Sequence, residues 1–182
     1  MAKQDKAGQD LREHFLHGES VFSGRLLDVR RDTVRMPDGA EATREYIRHP
    51  GAVAILAFTA DDRVVLERQH RYPLRRDFIE IPAGKIERGE TDLVETAKRE
   101  LLEETGYVAA DWQRLTTIHN AIGYSDEAIE LFAARGLTQQ KQKLDAEEFL
   151  EVIELPFAEA IAMVRDGRIT DVKTIVALLW QK

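Results

Sequence analysis

Three glutamates, Glu100, Glu103 and Glu104, sit close together in the run Arg99-Glu100-Leu101-Leu102-Glu103-Glu104-Thr105-Gly106. On a helix, positions i, i+3 and i+4 share a face, so the three carboxylates point one way while Leu101 and Leu102 turn toward a core. Such a cluster repels itself. It also precedes Gly106, at the negative end of the helix dipole, where each acid is disfavoured by roughly 0.3–1 kcal/mol. Arg99 offsets one charge. A hard divalent cation would offset the rest, and Mg²⁺ suits the set because it takes a few carboxylates together with substrate phosphates. On these residues alone, a solvated acidic helix face is an equal alternative.

The elements around the glutamates follow from periodicity. Thr91 to Thr105 reads as a helix with an apolar stripe of Leu93, Ala97, Leu101 and Leu102, closed by Gly106 at the C-terminal cap. Ala52 to Phe58 is a continuous apolar run, the mark of a strand buried on both faces. Further strands are expected at Val64 to Arg68, Phe78 to Ile81, Trp112 to His119, Ala128 to Ala133 and Phe149 to Leu155. Pro82-Ala83-Gly84 breaks the third of these six, and the polar stretch from Leu137 to Glu148 reads as a loop. Helices are expected over Phe157 to Arg165 and Asp171 to Trp180. The order points to a mixed α/β sandwich.

Upstream, residues 1–19 read as a mobile polar arm with a short helix around Leu11 to Leu16. Strands follow over Val21 to Val29, Thr33 to Met36 and Thr43 to His49, with Pro37-Asp38-Gly39 as a hairpin turn. Polar residues flank this turn, so the small antiparallel sheet over 20–49 has a thin core and needs a partner surface. The main domain is expected over 50–182.

Composition narrows the function. The chain has 182 residues, 26 Lys plus Arg against 33 Asp plus Glu, and a net charge of -7. This balance argues against a non-specific nucleic-acid binder, yet a local Arg cluster or a bound cation can still receive a small phosphorylated substrate. There is no cysteine, which excludes disulfides, thiolate metal sites and cysteine nucleophiles. No apolar run approaches the roughly 20 residues that span a bilayer, and the N-terminal residues lack a signal-peptide core. The sequence reads as a cytoplasmic enzyme without a membrane segment.

Gly84, Glu90 and Arg99-Glu100-Leu101-Leu102-Glu103-Glu104-Thr105-Gly106-Tyr107 together resemble the signature box of the Nudix hydrolases. Eight residues, Thr91 to Lys98, separate Glu90 from Arg99 where the family pattern has seven, and the extra residue is placed at the loop-to-helix junction. The resemblance implies a Nudix fold, an α/β/α sandwich on a mixed sheet. It also implies hydrolysis of a diphosphate by water with Mg²⁺, or alternatively Mn²⁺. By the same resemblance the metal is held by Glu100, Glu103, Glu104, Glu148 and the carbonyl of Ala83.

Further segments are similar to the ADP-ribose pyrophosphatase branch, among them His49-Pro50-Gly51-Ala52-Val53, Arg68-Gln69-His70-Arg71-Tyr72, Glu80-Ile81-Pro82-Ala83-Gly84 and Ser125-Asp126-Glu127. That likeness implies a homodimer with swapped N-terminal strands. It places Arg71 on the diphosphate, Arg44 in the partner's substrate pocket and Glu127 on the substrate. The attacking water is assigned to Glu103 or Glu104, or to Glu147 or Glu148 in the acidic loop. Ile122 stands where the branch usually carries proline, so a GDP-mannose-type substrate stays open beside ADP-ribose. A nucleotide-sugar-sensing module without catalysis and a nucleoside triphosphatase are the other readings.

Overall fold

In a computed structural model that describes residues 10–144 and 148–181, the chain divides into two units. One comprises the residues up to His49 together with Ala121–Asp126, and the other comprises Pro50–Asn120 and Glu127 onward.

The N-terminal unit is an antiparallel sheet of β1 (His14–Ser23), β2 (Asp28–Arg35) and β3 (Glu41–Arg48), in that order. The hairpin between β2 and β3 forms where the sequence places it. Gly39 N–H closes the turn on Met36 O at 2.9 Å, with Gly39 at φ 89°, a left-handed conformation that costs glycine little. Asp38 Oδ1 accepts Ala40 N–H at 3.0 Å. The short helix expected over Leu11 to Leu16 is not formed, because His14 and Phe15 pair across the sheet with Arg35 and Val34. Cross-strand pairing here outweighs a weak local preference. The thin core is confirmed: Val34 is the one buried hydrophobic residue among the described residues of this unit. The excursion Ala121–Asp126 joins the unit through Ile47, whose N–H donates to Tyr124 O at 2.8 Å.

The second unit is built on β4 (Ala52–Phe58), and all seven of its residues are buried. Because strand side chains alternate, Val53, Ile55 and Ala57 pack on one face, and Ala54, Leu56 and Phe58 on the other. The other elements are β5 (Arg63–Arg71), β6 (Arg76–Glu80), β7 (Ala83–Lys85), α1 (Leu93–Thr105), β8 (Tyr107–Ile118), β9 (Ile129–Gln139), β10 (Leu150–Pro156), α2 (Phe157–Arg165) and α3 (Val172–Trp180). The sheet runs β10-β5-β4-β9-β8, with β6 on β5 and β7 on β4. The β4–β9 pair is parallel and the others are antiparallel, which makes the sheet mixed. Ala97 and Leu101 of α1 cover the Val53 face, while Ala160 and Met163 of α2 and Ala177 and Leu178 of α3 cover the Leu56 face. The result is the α/β/α sandwich that the sequence implies.

Several boundaries differ from the sequence reading. The strand expected over Val21 to Val29 is broken by a turn in which Gly24 N–H donates to Leu27 O, so β1 ends at Ser23 and β2 starts at Asp28, while β5 runs on past Arg68 to Arg71. Asp92 caps α1 by accepting Val94 N–H at 3.0 Å and Glu95 N–H at 3.4 Å, so Thr91 and Asp92 stay outside the helix. The strand after Gly106 begins at once, since Tyr107, Val108 and Ala109 pair with Gln139, Thr138 and Leu137. That pairing also turns the first residues of the expected polar loop into strand. Finally, Ala83–Lys85 is not a plain break, because it pairs with Ala52–Ala54 and so brings the segment before α1 against the central strand.

Candidate active site

Ala97, Glu100, Leu101 and Glu104 occupy one side of α1, and all four are buried. Glu100 is 9% and Glu104 6% exposed, so the acidic cluster is not a solvated face. The helix instead drives two carboxylates into the protein along its core-facing stripe, where an unpaired charge is costly. Burial pushes Glu100 up to about 7, against the pull of Arg99. Burial also raises Glu104, and the neighbouring charge of Glu67 raises it further.

What partners these acids have lie in the signature segment itself. Arg99 reaches Glu90 at 3.1 Å, Glu100 at 2.9 Å and Glu103 at 3.0 Å. Glu90 in turn accepts Glu87 N–H at 2.8 Å. The longer spacer therefore leaves the Glu90–Arg99 pair intact, with Thr91 and Asp92 bridging to the first helical residue. Glu104 Oε2 accepts the N–H of Ala83 at 2.8 Å. Gly84 makes room for Glu100: a Cβ at this position would lie 1.9 Å from Glu100 Cδ and 2.1 Å from Oε1. The glycine, the arginine and the acids of the motif thus form one mechanical unit.

The opposite wall comes from β5, where alternation sets Glu67, Gln69 and Arg71 on the α1 side. Glu67 and Glu80 face each other across the β5–β6 ladder, each 4% exposed. Their surroundings differ. Glu80 holds Arg71 and Lys173; burial works against its charge, but these two cations outweigh burial and keep its carboxyl below the usual value. Glu67 Oε1 is buried without a hydrogen-bond partner. Burial, followed by the charge of Glu80, raises Glu67.

Between these walls lies a cavity of about 720 Å³, lined by Arg71, Ala83, Gly84, Arg99, Glu100, Glu103, Glu104 and Glu148 among others. The structure therefore gathers Arg71, Ala83, the three helix glutamates and Glu148 around one space. Glu127, half-buried before β9, is not among the residues lining it. Arg44 belongs to the N-terminal unit, where its Nε donates to Glu13 Oε2 at 2.9 Å. Glu147 lies outside the described residues.

Glu67, Glu80 and Lys173 were not singled out from the sequence as site residues. The signal for Glu67 was available: a carboxylate directly after Val64-Val65-Leu66, in a strand too apolar to be on the surface.

Among the described residues, no three acids already converge at metal-ligand spacing. Glu100 and Glu103 are turned to Arg99, and Glu104 is turned to Ala83. The donor set still fits a hard divalent ion. It consists of carboxylate oxygens around one cavity, two of the carboxylates held above their ordinary pKa chiefly by burial, and the nearby Glu67 Oε1 is buried without a hydrogen-bond partner.

Residues 48–177 match the family model described as the NUDIX domain, and residues 14–47 match that of the nucleoside diphosphate sugar hydrolase N-terminal domain. The chain belongs to the Nudix family.

Among its Nudix relatives is an ADP-ribose pyrophosphatase of Bacillus subtilis (strain 168), 39% identical over 172 residues, which is 93% of this chain and 92% of the relative. A methanol dehydrogenase activator of Bacillus methanolicus is 41% identical over 173 residues, 94% of this chain and 93% of that protein. A GDP-mannose pyrophosphatase of Yersinia enterocolitica is 37% identical over 142 residues, 73% of each chain. The fold is also that of a crystal structure of an ADP compounds hydrolase, with a TM-score of 0.82 over 94% of each chain at 24% sequence identity. Nudix hydrolases generally need a divalent metal. No helix among the described residues is long and apolar enough to cross a membrane.

Proposed function

We propose that the chain hydrolyses the diphosphate linkage of ADP-ribose or a related nucleoside diphosphate sugar with Mg²⁺, with Mn²⁺ as the alternative ion. The observation that carries this reading is the cavity, which sets the buried carboxylates of α1 opposite the guanidinium of Arg71. In the reaction, a water oxygen bonds to one phosphorus as the bridging P–O bond of the diphosphate breaks. The products are a nucleoside monophosphate and a sugar phosphate.

Glu100, Glu103, Glu104, Glu148 and the carbonyl of Ala83 would hold the metal, which when bound supplies positive charge against the charge developing on phosphate oxygens. Arg71 binds a diphosphate oxygen by a charge-assisted hydrogen bond. The attacking water is oriented by a carboxylate of the cavity wall, Glu103, Glu104 or Glu148, with Glu147 as the further candidate.

The test is release of AMP from ADP-ribose, or of the matching monophosphate from ADP-glucose or GDP-mannose, by purified protein with Mg²⁺. We expect turnover of at least one of these. Binding of a nucleotide sugar without any turnover would favour a sensing role and sink the hydrolase reading.

The N-terminal unit supports a homodimer with swapped N-terminal strands. Phe15, Phe22 and Leu26 are exposed there at 65%, 56% and 61%, and among the described residues of the unit only Val34 is buried. A sheet with so little core of its own gains buried apolar area when a partner covers it. In this arrangement Arg44 would enter the partner's substrate pocket, and Glu127 would contact the substrate. Sedimentation equilibrium should give twice the 20.8 kDa chain mass; a monomer at the enzyme's working concentration would refute the swap.

A further inference from the structure

Glu80 stands directly opposite Glu67 in a sheet ladder, and like charges in that position repel. Two cations resolve the conflict from one side. Arg71, at the end of β5, donates Nε to Glu80 Oε1 at 2.6 Å and Nη2 to Oε2 at 2.8 Å. Lys173, in the first turn of α3, donates Nζ to the same Oε2 and lies 3.1 Å from Asp171. Its side chain is only 10% exposed, which is rare for a lysine unless it is paired.

The first turn of α3 is itself tied to the sheet. Asp171 Oδ2 accepts the Thr174 N–H at 3.0 Å and the Thr174 hydroxyl at 2.6 Å, and Thr174 Oγ1 accepts the N–H of Ile81 at 2.8 Å. Ile81 directly follows Glu80. The helix therefore grips the end of β6 twice, once through backbone and once through the Glu80 carboxylate.

The consequence falls on Arg71. Its side chain is long, and acids surround the cavity it lines: Glu100, Glu103, Glu104 and Glu148. With two nitrogens fixed on Glu80, the guanidinium stays at the cavity wall rather than turning onto those carboxylates. Lys173 shares the charge of Glu80, so Glu80 does not draw on Arg71 alone. We propose that Lys173 is a positioning residue, which through Glu80 holds Arg71 in the orientation that receives a diphosphate. This inference rests on the diphosphate reading given above.

The experiment is calorimetric titration with ADP and Mg²⁺, comparing the wild type with Lys173→Met, Lys173→Arg, Arg71→Ala and the double variant Lys173→Met/Arg71→Ala. Affinity should fall about tenfold or more in Lys173→Met, in the range found when an outer support of a site is lost, and should return to within about threefold in Lys173→Arg. The double variant should bind no more weakly than Arg71→Ala alone, because the lysine acts through the arginine. Should Lys173→Met fail to fold, Lys173→Gln, which keeps a donor without the charge, carries the same expectation.

Wild-type affinity in the Lys173 variant, losses that add in the double variant, or no ADP binding by the wild type would each overturn the inference. AMP release from ADP-ribose by the wild type is measured separately. Turnover with an inert Lys173 leaves the hydrolase reading standing and removes only this one.

Discussion

Glu104→Gln should lower kcat by at least about 10²–10³-fold, the scale seen when one preorganised stabilising group is removed from a reaction centre, while the protein folds at least as well as the wild type. The two halves of this expectation have different causes. Activity falls because the change removes one negative charge from the carboxylates that would hold the metal. Folding is preserved because a glutamine carbonyl can still accept the Ala83 N–H that Glu104 Oε2 accepts at 2.8 Å.

Stability in EDTA should even rise at neutral and higher pH, and the sign follows from linkage. Burial, then the Glu67 charge, raises the Glu104 carboxyl above its ordinary 4.5. A raised acid holds its proton in the fold, so its contribution is fully present below 4.5 and is lost as pH climbs through the folded value. The glutamine variant has nothing to lose there. Its melting temperature should fall less steeply with pH than that of the wild type, and each kcal/mol recovered would read as about 2–4 °C in a chain of this size. Kinetics with Mg²⁺ and thermal melts in EDTA check both halves. Full activity would remove Glu104 from the metal set. A lower melting temperature at every pH would mean that its charge is supported in the fold.

The fold was legible where one interaction decides the outcome. Ala52–Phe58 is apolar throughout because both faces of β4 are covered, and no other element could bury that run. The α1 stripe and its glycine stop follow from local periodicity in the same way. Leu11 to Leu16 was misread because its strand exists only by pairing with β2, a relation that no local window contains. The same holds for Leu137–Gln139, polar in sequence but paired with Tyr107–Ala109.

At the site, the motif acids were legible as a cluster but not as buried groups. Spacing set Glu100, Glu103 and Glu104 apart from a core-facing Leu101 and Leu102, whereas Glu100 and Glu104 are buried on the same side of α1 as Leu101, and neither Glu103 nor Leu102 is fully buried. Glu67, Glu80 and Lys173 stayed hidden for a related reason. Their meaning is a charge balance between β5, β6 and α3, elements that come together only in the folded sheet.

Gly84→Ala should be nearly as damaging as loss of a motif glutamate, although it adds a single methyl group. Such a change normally costs little, and in a strand alanine is no worse than glycine. Gly84 does not need a left-handed backbone, so conformational strain is not the issue. The cost is spatial: the new Cβ would lie 1.9 Å from Glu100 Cδ and 2.1 and 2.2 Å from its two oxygens. Contacts that short cannot be absorbed by a small shift. Either β7 leaves the central strand, where Gly84 pairs with Val53, or the Glu100 carboxylate moves.

The side chain is the softer partner. It should swing away and break its 2.9 Å contact with Arg99. Arg99 would then remain on Glu90 and Glu103, so the motif keeps its outline but loses one metal-facing acid. The expected result is a fall of about 10–100-fold or more in divalent-ion affinity, the range for a disturbed metal site, with a similar loss of turnover and a melting temperature in EDTA within a few degrees of the wild type. Metal titration by calorimetry separates the two possible responses. Weakened metal binding with intact folding shows that Gly84 exists to admit Glu100. Global unfolding shows that β7 yielded instead, and unchanged metal binding would mean that Glu100 holds no ion.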